Sequence, residues 1–93
     1  MVLNISKSKI LKDKGIRLLP ALSQTFSKSP SSFVDGLYPV YADSANGSTI
    51  IDVDGNEYID YLMGLGPIVL GYNFPPVNTA ISEQLKKGII FSL

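Results

Sequence analysis

Residues 52–56, Asp-Val-Asp-Gly-Asn, bring together residue types that can bind a cation, and Asp60 follows them closely. Calcium-binding loops use such carboxylates, but they place a glycine at the sixth position and an acidic residue at the twelfth. Here the glycine falls at the fourth position and Met63 at the twelfth. Nothing in the sequence gives Asp52, Asp54 and Asp60 the contrasting environments that acid–base catalysis by carboxylates requires. These aspartates are therefore predicted to be solvated members of a hairpin.

Glycines and lysines offer two further kinds of site. Gly64-Leu65-Gly66 is followed by Gly71, whereas a dinucleotide-binding fingerprint needs its third glycine three residues after the second. This spacing indicates close backbone packing instead. Lysine can form a Schiff base, but Lys86 and Lys87 are better explained as charges at the end of a helix. Lys28 lies in a serine-rich segment, where it could contact an anion.

The composition of the 93-residue chain narrows the chemistry further. The chain contains no cysteine and no histidine, which excludes a disulfide scaffold and removes the commonest general base and metal ligand. With 45% hydrophobic and 17% charged residues, it is typical of one small folded domain rather than a disordered tail. From the residues alone, no catalytic, cofactor-binding or metal-binding site is predicted.

The eight basic and eight acidic residues cancel, but they are unevenly distributed. Up to Lys28 the charges are basic apart from Asp13, and every charged residue over 29–85 is acidic. The balance argues against a nucleic-acid partner, and the basic start predicts a helix that lies against an acidic protein surface. The uncharged span 61–82 loses its strongly apolar character after Leu70, so a membrane span is not expected either.

Two helices are predicted from the spacing of apolar residues. The first covers residues 8–19 and is ended by Pro20, and the second covers residues 76–87. The serine-rich stretch 23–32 between them is expected to be irregular. The last five residues, 89–93, are apolar, which leads us to expect that the chain continues into a larger core.

A small sheet is predicted between the helices. Residues 49–53 and 57–61 are rich in β-forming side chains and flank an Asp-Gly pair, which supplies the positive φ angles of a tight hairpin turn. A strand over residues 38–42 would complete a three-stranded antiparallel meander. The glycines and proline over residues 61–72 exclude a regular element through that passage.

An ordered set of motifs after Gly47 resembles one family of enzymes. It looks like the N-terminal part of class III pyridoxal-phosphate (PLP)-dependent aminotransferases, in the branch that contains glutamate-1-semialdehyde 2,1-aminomutase. The resemblance covers residues 19–93 and includes the Pro39-Val40-Tyr41 segment. The motifs that carry it are Gly47-Ser48, Asp52-Val53-Asp54-Gly55-Asn56-Glu57-Tyr58-Ile59-Asp60-Tyr61, Gly64-Leu65-Gly66-Pro67 and Leu70-Gly71-Tyr72-Asn73-Phe74-Pro75.

The resemblance implies an α+β piece of a fold type I PLP-dependent transferase, truncated before its large domain. Residues 1–22 would form the N-terminal basic helix, residues 23–63 the loop and meander of the small domain, and residues 64–93 the passage into the missing large domain. It implies a cytoplasmic homodimer that uses PLP to move an amino group from a small-molecule donor to an aldehyde or ketone. In this family the Schiff-base lysine and the cofactor contacts lie downstream, so the chain alone is expected to be inactive and to need the remainder of the enzyme.

The resemblance also implies a wall of the substrate pocket. The aminomutase uses an early serine and an early arginine to bind substrate, and a tryptophan before its Gly-Pro pair. By resemblance Ser23 matches the serine, Phe26 falls near the arginine, and Leu65 replaces the tryptophan, so a substrate other than glutamate semialdehyde is expected. The alternative from a different class is a free-standing interaction module, or an aminotransferase remnant, whose hairpin and basic helix dock on a partner.

Overall fold

The structure, a computed structural model, describes residues 3–34 and 36–92. Met1, Val2 and Leu93, at the outer ends of the predicted segments, lie outside the described residues. The regular elements are α1 (Ser6–Ile16), β1 (Ala42–Asn46), β2 (Thr49–Asp52), β3 (Glu57–Ile59) and α2 (Pro75–Leu85). Short 3-10 turns occur at Pro20–Leu22, Phe26–Lys28, Pro30–Ser32 and Met63–Leu65. The predicted order of helix, antiparallel sheet and helix is confirmed.

The three strands form an antiparallel sheet in the order β1-β2-β3, as the predicted meander requires. Asn46 pairs with Thr49 across a tight turn, and this pairing sets the register of β1. The prediction of a strand over residues 38–42 is wrong, because the partner of β2 across that turn is Ala42–Asn46. Tyr38 instead stacks on Phe33, with their ring centroids 4.2 Å apart.

Both helices are present, with bounds shifted from the predicted ones. The first α-helix ends at Ile16, three residues earlier than predicted, where the N–H groups of Leu18 and Leu19 both donate to the carbonyl of Gly15. A Cβ on Gly15 would approach the Tyr41 hydroxyl to 2.5 Å, so this glycine lets α1 lie close to the segment before the sheet. The second helix begins with two prolines, which lack the N–H groups that would have no partner in the first turn of a helix.

The chain buries very little apolar surface. Among the described residues no hydrophobic side chain is fully buried, and the buried polar residues are Ser8, Ser29 and Asp52. Every residue of α2 is exposed. Within residues 3–34 and 36–92, neither helix is long and apolar enough to cross a membrane. The fully buried side chains of the described residues are therefore all polar.

Candidate functional site

The turn between β2 and β3 holds the start of α1. The carboxylate of Asp54 accepts hydrogen bonds from the N–H groups of Lys7 (2.7 Å) and Ser8 (2.9 Å). The residue at the N-cap position, Ile5, makes no side-chain cap of its own. A carboxylate at a helix N-terminus satisfies orphan N–H groups and interacts favourably with the helix dipole. Asp54 therefore acts as the cap of α1 from a turn 46 residues further along the chain.

Asp52 is the buried centre of the hairpin, with only 2% of its surface exposed. One carboxylate oxygen accepts the N–H groups of Asp54 (2.9 Å) and Asn56 (2.8 Å). The other accepts the Asn56 side-chain amide (2.8 Å) and the Tyr58 hydroxyl (3.0 Å). The prediction that this aspartate is solvated is wrong, because these four donors replace the water that its carboxylate loses on burial.

The hydrogen bonds around Asp52 decide its protonation. Desolvation by burial acts to raise the pKa of Asp52, but the hydrogen bonds from Asn56, Tyr58 and the Asp54 N–H together lower that pKa below its ordinary value. Burial and the hydrogen bond to Asp52 raise the pKa of Tyr58 to about 12. The pair is therefore a carboxylate and a neutral phenol, held as a structural unit rather than as an acid and a base near neutrality.

A second carboxylate–phenol pair joins the sheet to the glycine-rich passage. Asp60 accepts the Tyr72 hydroxyl (2.6 Å) and the N–H of Leu62 (2.8 Å). Burial acts to raise the pKa of Asp60, but these hydrogen bonds lower it overall. The hydrogen bond to Asp60, followed by burial, raises the pKa of Tyr72 to about 12. This aspartate also differs from the solvated residue that the sequence predicted, because both of its oxygens are engaged.

The backbone of Tyr72 is held by hydrogen bonds to the sheet, in addition to the hydrogen bond of its hydroxyl to Asp60. Gly47 and Tyr72 exchange two backbone hydrogen bonds of 2.9 and 2.7 Å. Gly71 has a φ of +80°, and a Cβ there would meet the Gly47 carbonyl oxygen at 2.9 Å. Only glycine fits this position without strain. Contacts at both of its ends thus pin the passage from Leu62 to Tyr72 onto the sheet.

A cavity of about 490 Å³ opens where this passage faces the sheet and the serine-rich segment. Leu65, the predicted pocket-wall residue, lines it. Its lining otherwise comes from the serine-rich segment and the residue after it (Ser27, Lys28, Ser32, Phe33), the segment that leads into β1 (residues 38–42), the sheet and the residue that follows β3 (Ile50, Asp52, Asp60), and the glycine-rich passage (Leu62, Gly64, Tyr72). The cavity is thus walled by apolar and aromatic side chains with a few polar groups, as small-molecule sites commonly are.

The structure does not bring the other two predicted pocket residues to this cavity. Phe26 is 91% exposed and lines a separate cavity of about 500 Å³. Ser23 is half-buried, and its hydroxyl accepts the N–H of Thr25 at 3.3 Å. Lys28, two residues beyond Phe26, lines the cavity in which Leu65 lies. The sequence signal for this lysine was its place in the serine-rich segment, but grouping it with Leu65 required the fold.

Among the described residues, neither helix N-terminus is open to the phosphate of PLP. A PLP enzyme needs a lysine that is activated for attack and donors for the phosphate, which helix N-termini commonly supply. The N-terminus of α1 is taken by Asp54, and α2 begins with Pro75 and Pro76, which have no N–H. The carboxylates of Asp52 and Asp60 already accept hydrogen bonds on both oxygens.

Metal ligands are equally sparse in the part of the chain that the structure describes. There, no group of three or more His, Cys, Asp or Glu side chains is placed to hold a metal ion. In the hairpin, Asp52 faces inward to its own turn and Asp54 faces α1.

Comparison with known proteins identifies the family. A family model described as aminotransferase class-III matches residues 33–93. The chain is 39% identical over 92 residues to 3-aminobutyryl-CoA aminotransferase of Cloacimonas acidaminovorans (strain Evry), covering 98% of this chain and 22% of that protein. It is 44% identical over 92 residues to glutamate-1-semialdehyde 2,1-aminomutase of Methanococcoides burtonii, covering 97% of this chain and 20% of that protein.

The fold comparison agrees with the sequence comparison. The structure superposes on a solved transaminase with PLP bound with a TM-score of 0.80 and 26% sequence identity, covering 98% of this chain and 20% of the other. The chain thus spans about a fifth of the length of the curated relatives that it matches. On both sequence and fold, the chain belongs to the class-III aminotransferase family.

Proposed function

We propose that this chain acts as the N-terminal part of a PLP-dependent aminotransferase or aminomutase. Complete enzymes of this kind move an amino group between an amino donor and an aldehyde or ketone, and PLP supplies the electron sink for that chemistry. Family membership and the names of the relatives support the proposal. In this proposal the cofactor and its lysine are held by the remainder of the enzyme, and the chain alone is inactive.

In this proposal the chain contributes positioning and a pocket wall. Residues 23–63 belong to the small domain of a fold type I enzyme, and residues 64–93 lead into its large domain. Leu65 lines the substrate pocket, while the roles of Ser23 and Phe26 stay predictions that would require the remainder of the enzyme to enclose them. The complete enzyme would be a cytoplasmic homodimer.

The observation that carries the proposal is the surface that the chain leaves uncovered. A compact monomer of this mass exposes about 5300 Å², whereas this chain exposes 7390 Å². Its radius of gyration is 15.5 Å, against about 12 Å for a compact domain of this length. The excess surface includes many large apolar side chains. Apolar surface on this scale is typical of an interface with further protein.

The clearest part of that interface is a stripe on α2. Val77, Ile81 and Leu85 follow one another at four-residue spacing, and Phe74 precedes them on the same face. They are 37–54% exposed, although such a stripe normally packs against a core. We expect this apolar stripe to pack against the large domain.

Binding between this chain and the remainder of the enzyme tests the proposal. Mixed or co-expressed pieces should form a complex that binds PLP and transaminates, and neither piece should do so alone. Ile81→Asp places a charge in the apolar stripe and should weaken the complex by at least about tenfold, because a buried unpaired charge costs several kcal/mol. Thr79→Asp adds the same charge to the opposite side of α2 and should leave binding within about twofold.

The interaction-module hypothesis predicts a different result. If the chain is a free-standing module, the isolated 93 residues should unfold in one cooperative transition. They should fold without the remainder of the enzyme, and adding that remainder should not produce PLP binding. If Ile81→Asp and Thr79→Asp weaken the complex equally, α2 does not pack against the remainder of the enzyme through its apolar stripe.

A further inference from the structure

We propose that Tyr72 is a positioning residue for substrate specificity, because through Asp60 it holds a strained turn that keeps Leu65 in the wall of the 490 Å³ cavity. This inference rests on the proposed function, since it takes this cavity as the place where the amino donor binds. The property that Tyr72 controls is the fit of the apolar body of that donor.

The turn that carries Leu65 has an uncommon backbone conformation. Its four consecutive residues, 63–66, have positive φ angles, and two of them, Met63 (+45°) and Leu65 (+69°), are not glycine. A residue with a Cβ rarely adopts this left-handed region, because its Cβ crowds the following carbonyl oxygen. Such residues persist where surrounding contacts hold them. This left-handed turn therefore requires contacts that outweigh its strain.

Contacts inside the left-handed turn do not fix its position relative to the sheet. The N–H of Leu65 donates to the Leu62 carbonyl at 2.8 Å, and the turn closes on itself through this bond. The N–H of Gly66 donates to the Met63 carbonyl at 3.1 Å. Leu62 and Leu65 are 51% and 56% exposed, so apolar packing within the described residues does little to hold them.

Asp60 and Tyr72 hold the left-handed turn from outside. The N–H of Asp60 donates to the Ser48 carbonyl at 2.8 Å, which fixes this residue to the sheet. One carboxylate oxygen of Asp60 accepts the N–H of Leu62, the residue before the turn, and the other accepts the Tyr72 hydroxyl at 2.6 Å. The backbone of Tyr72 is itself bonded to Gly47. The Tyr72 hydroxyl therefore orients the carboxylate that holds the start of the turn.

Loss of these hydrogen bonds changes the cavity through Leu65. Both Leu62 and Leu65 line the cavity, so a turn that relaxes to ordinary negative φ angles redirects their side chains away from the wall. A donor with a long apolar body then loses buried contact area, whereas a donor without one loses little. Tyr72 thus acts on specificity through the turn, although its own side chain also lines the cavity.

Amide hydrogen exchange in the complete protein tests the positioning step without turnover. Tyr72→Phe should accelerate exchange of the Leu65 and Gly66 amides at least about tenfold, because it removes a hydrogen bond to a charged group. The amides that pair β2 with β3 should change less than about twofold. Tyr61→Phe is the matched control, since it removes the hydroxyl of a tyrosine that is 89% exposed, and it should change neither set.

Substitutions at Met63 separate backbone strain from side-chain contact. Met63→Gly lets the turn keep its positive φ without steric cost, so combined with Tyr72→Phe it should recover most of the slow exchange. Met63→Ala shortens the side chain but keeps the Cβ, and combined with Tyr72→Phe it should recover none. A direct contact between the Tyr72 hydroxyl and the donor would be lost in both combinations alike.

Binding of ethylamine and pentylamine to the PLP-loaded enzyme, measured by calorimetry, connects the turn to specificity. Three further CH₂ groups favour pentylamine by up to about 50-fold when they are buried. Tyr72→Phe should reduce this preference at least about fivefold by weakening the binding of pentylamine alone. Adding Met63→Gly should restore the preference, and Tyr61→Phe should leave it unchanged.

Three results would overturn the inference. They are equal acceleration of exchange in the turn and in the sheet, no recovery with Met63→Gly, and an unaltered enzyme that does not prefer pentylamine, because Leu65 would then not contact the donor. Absence of both PLP binding and transamination in the complete protein would instead contradict the proposed function. The exchange measurements need no cofactor, so they decide separately whether Tyr72 holds the turn.

Discussion

Replacing Asp54 by alanine should loosen α1 without unfolding the sheet. The carboxylate of Asp54 makes the 2.7 and 2.9 Å hydrogen bonds to the N–H groups of Lys7 and Ser8, and the N-cap residue supplies no alternative acceptor. Removal of a side-chain cap costs about 1–2 kcal/mol. That free energy corresponds to a shift of about 5- to 30-fold in the equilibrium between closed and open helix.

Amide hydrogen exchange measures this opening directly. In Asp54→Ala, the N–H groups of α1 should exchange about 5- to 30-fold faster, whereas those that pair β2 with β3 should change little, because they open separately. Asp43→Ala is the matched control, since Asp43 is an exposed aspartate on β1. Unchanged exchange of α1 in Asp54→Ala, or an equal acceleration in Asp43→Ala, would refute the assignment of Asp54 as the cap.

Three further outcomes follow from the contacts around the sheet. Gly71→Ala should speed exchange of the Tyr72 amide at least about tenfold, because the new Cβ meets backbone at 2.9 Å. Gly47→Ala shares the strain of a positive φ (+56°) but has open space around its Cβ, so its effect should be smaller, and equal effects would exclude the clash. Because the pKa values of Asp52 and Asp60 are lowered, the stability that these carboxylates contribute is present above pH 3.8 and is lost as the pH falls below 3.8. A free energy of unfolding that stays constant as the pH falls below 3.8 would contradict this. The raised pKa of Tyr72 means that stability falls as the pH rises from 10 towards about 12, and spectrophotometric titration of its phenol near 10 would count against the Asp60 hydrogen bond.

The hairpin was readable from sequence because its determinants are local. The Asp-Gly pair lies at the turn itself, and the β-rich runs flank it directly, so β2 and β3 form where predicted. The first strand was misplaced because its position depends on pairing across the turn at Asn46 rather than on its own composition. The start of α1 was likewise hidden, because its cap comes from Asp54 rather than from the residues beside it.

The candidate site was only partly readable for the same reason. Leu65 was identified from its position before Gly66-Pro67, a local motif. The grouping of Lys28 with Leu65 depends on how the serine-rich segment folds back towards the glycine-rich passage, which no local pattern shows. The burial of Asp52 and Asp60 depends equally on distant partners, such as the hydroxyl of Tyr72 for Asp60.

Native mass spectrometry of the protein purified from its source tests the central claim most directly. The claim is that these 93 residues work as one part of a PLP-dependent class-III enzyme. We expect a particle several times heavier than 10.1 kDa that contains this chain, covalently or as a tightly bound subunit, and carries the mass of PLP. A PLP-free particle of 10.1 kDa would contradict the claim.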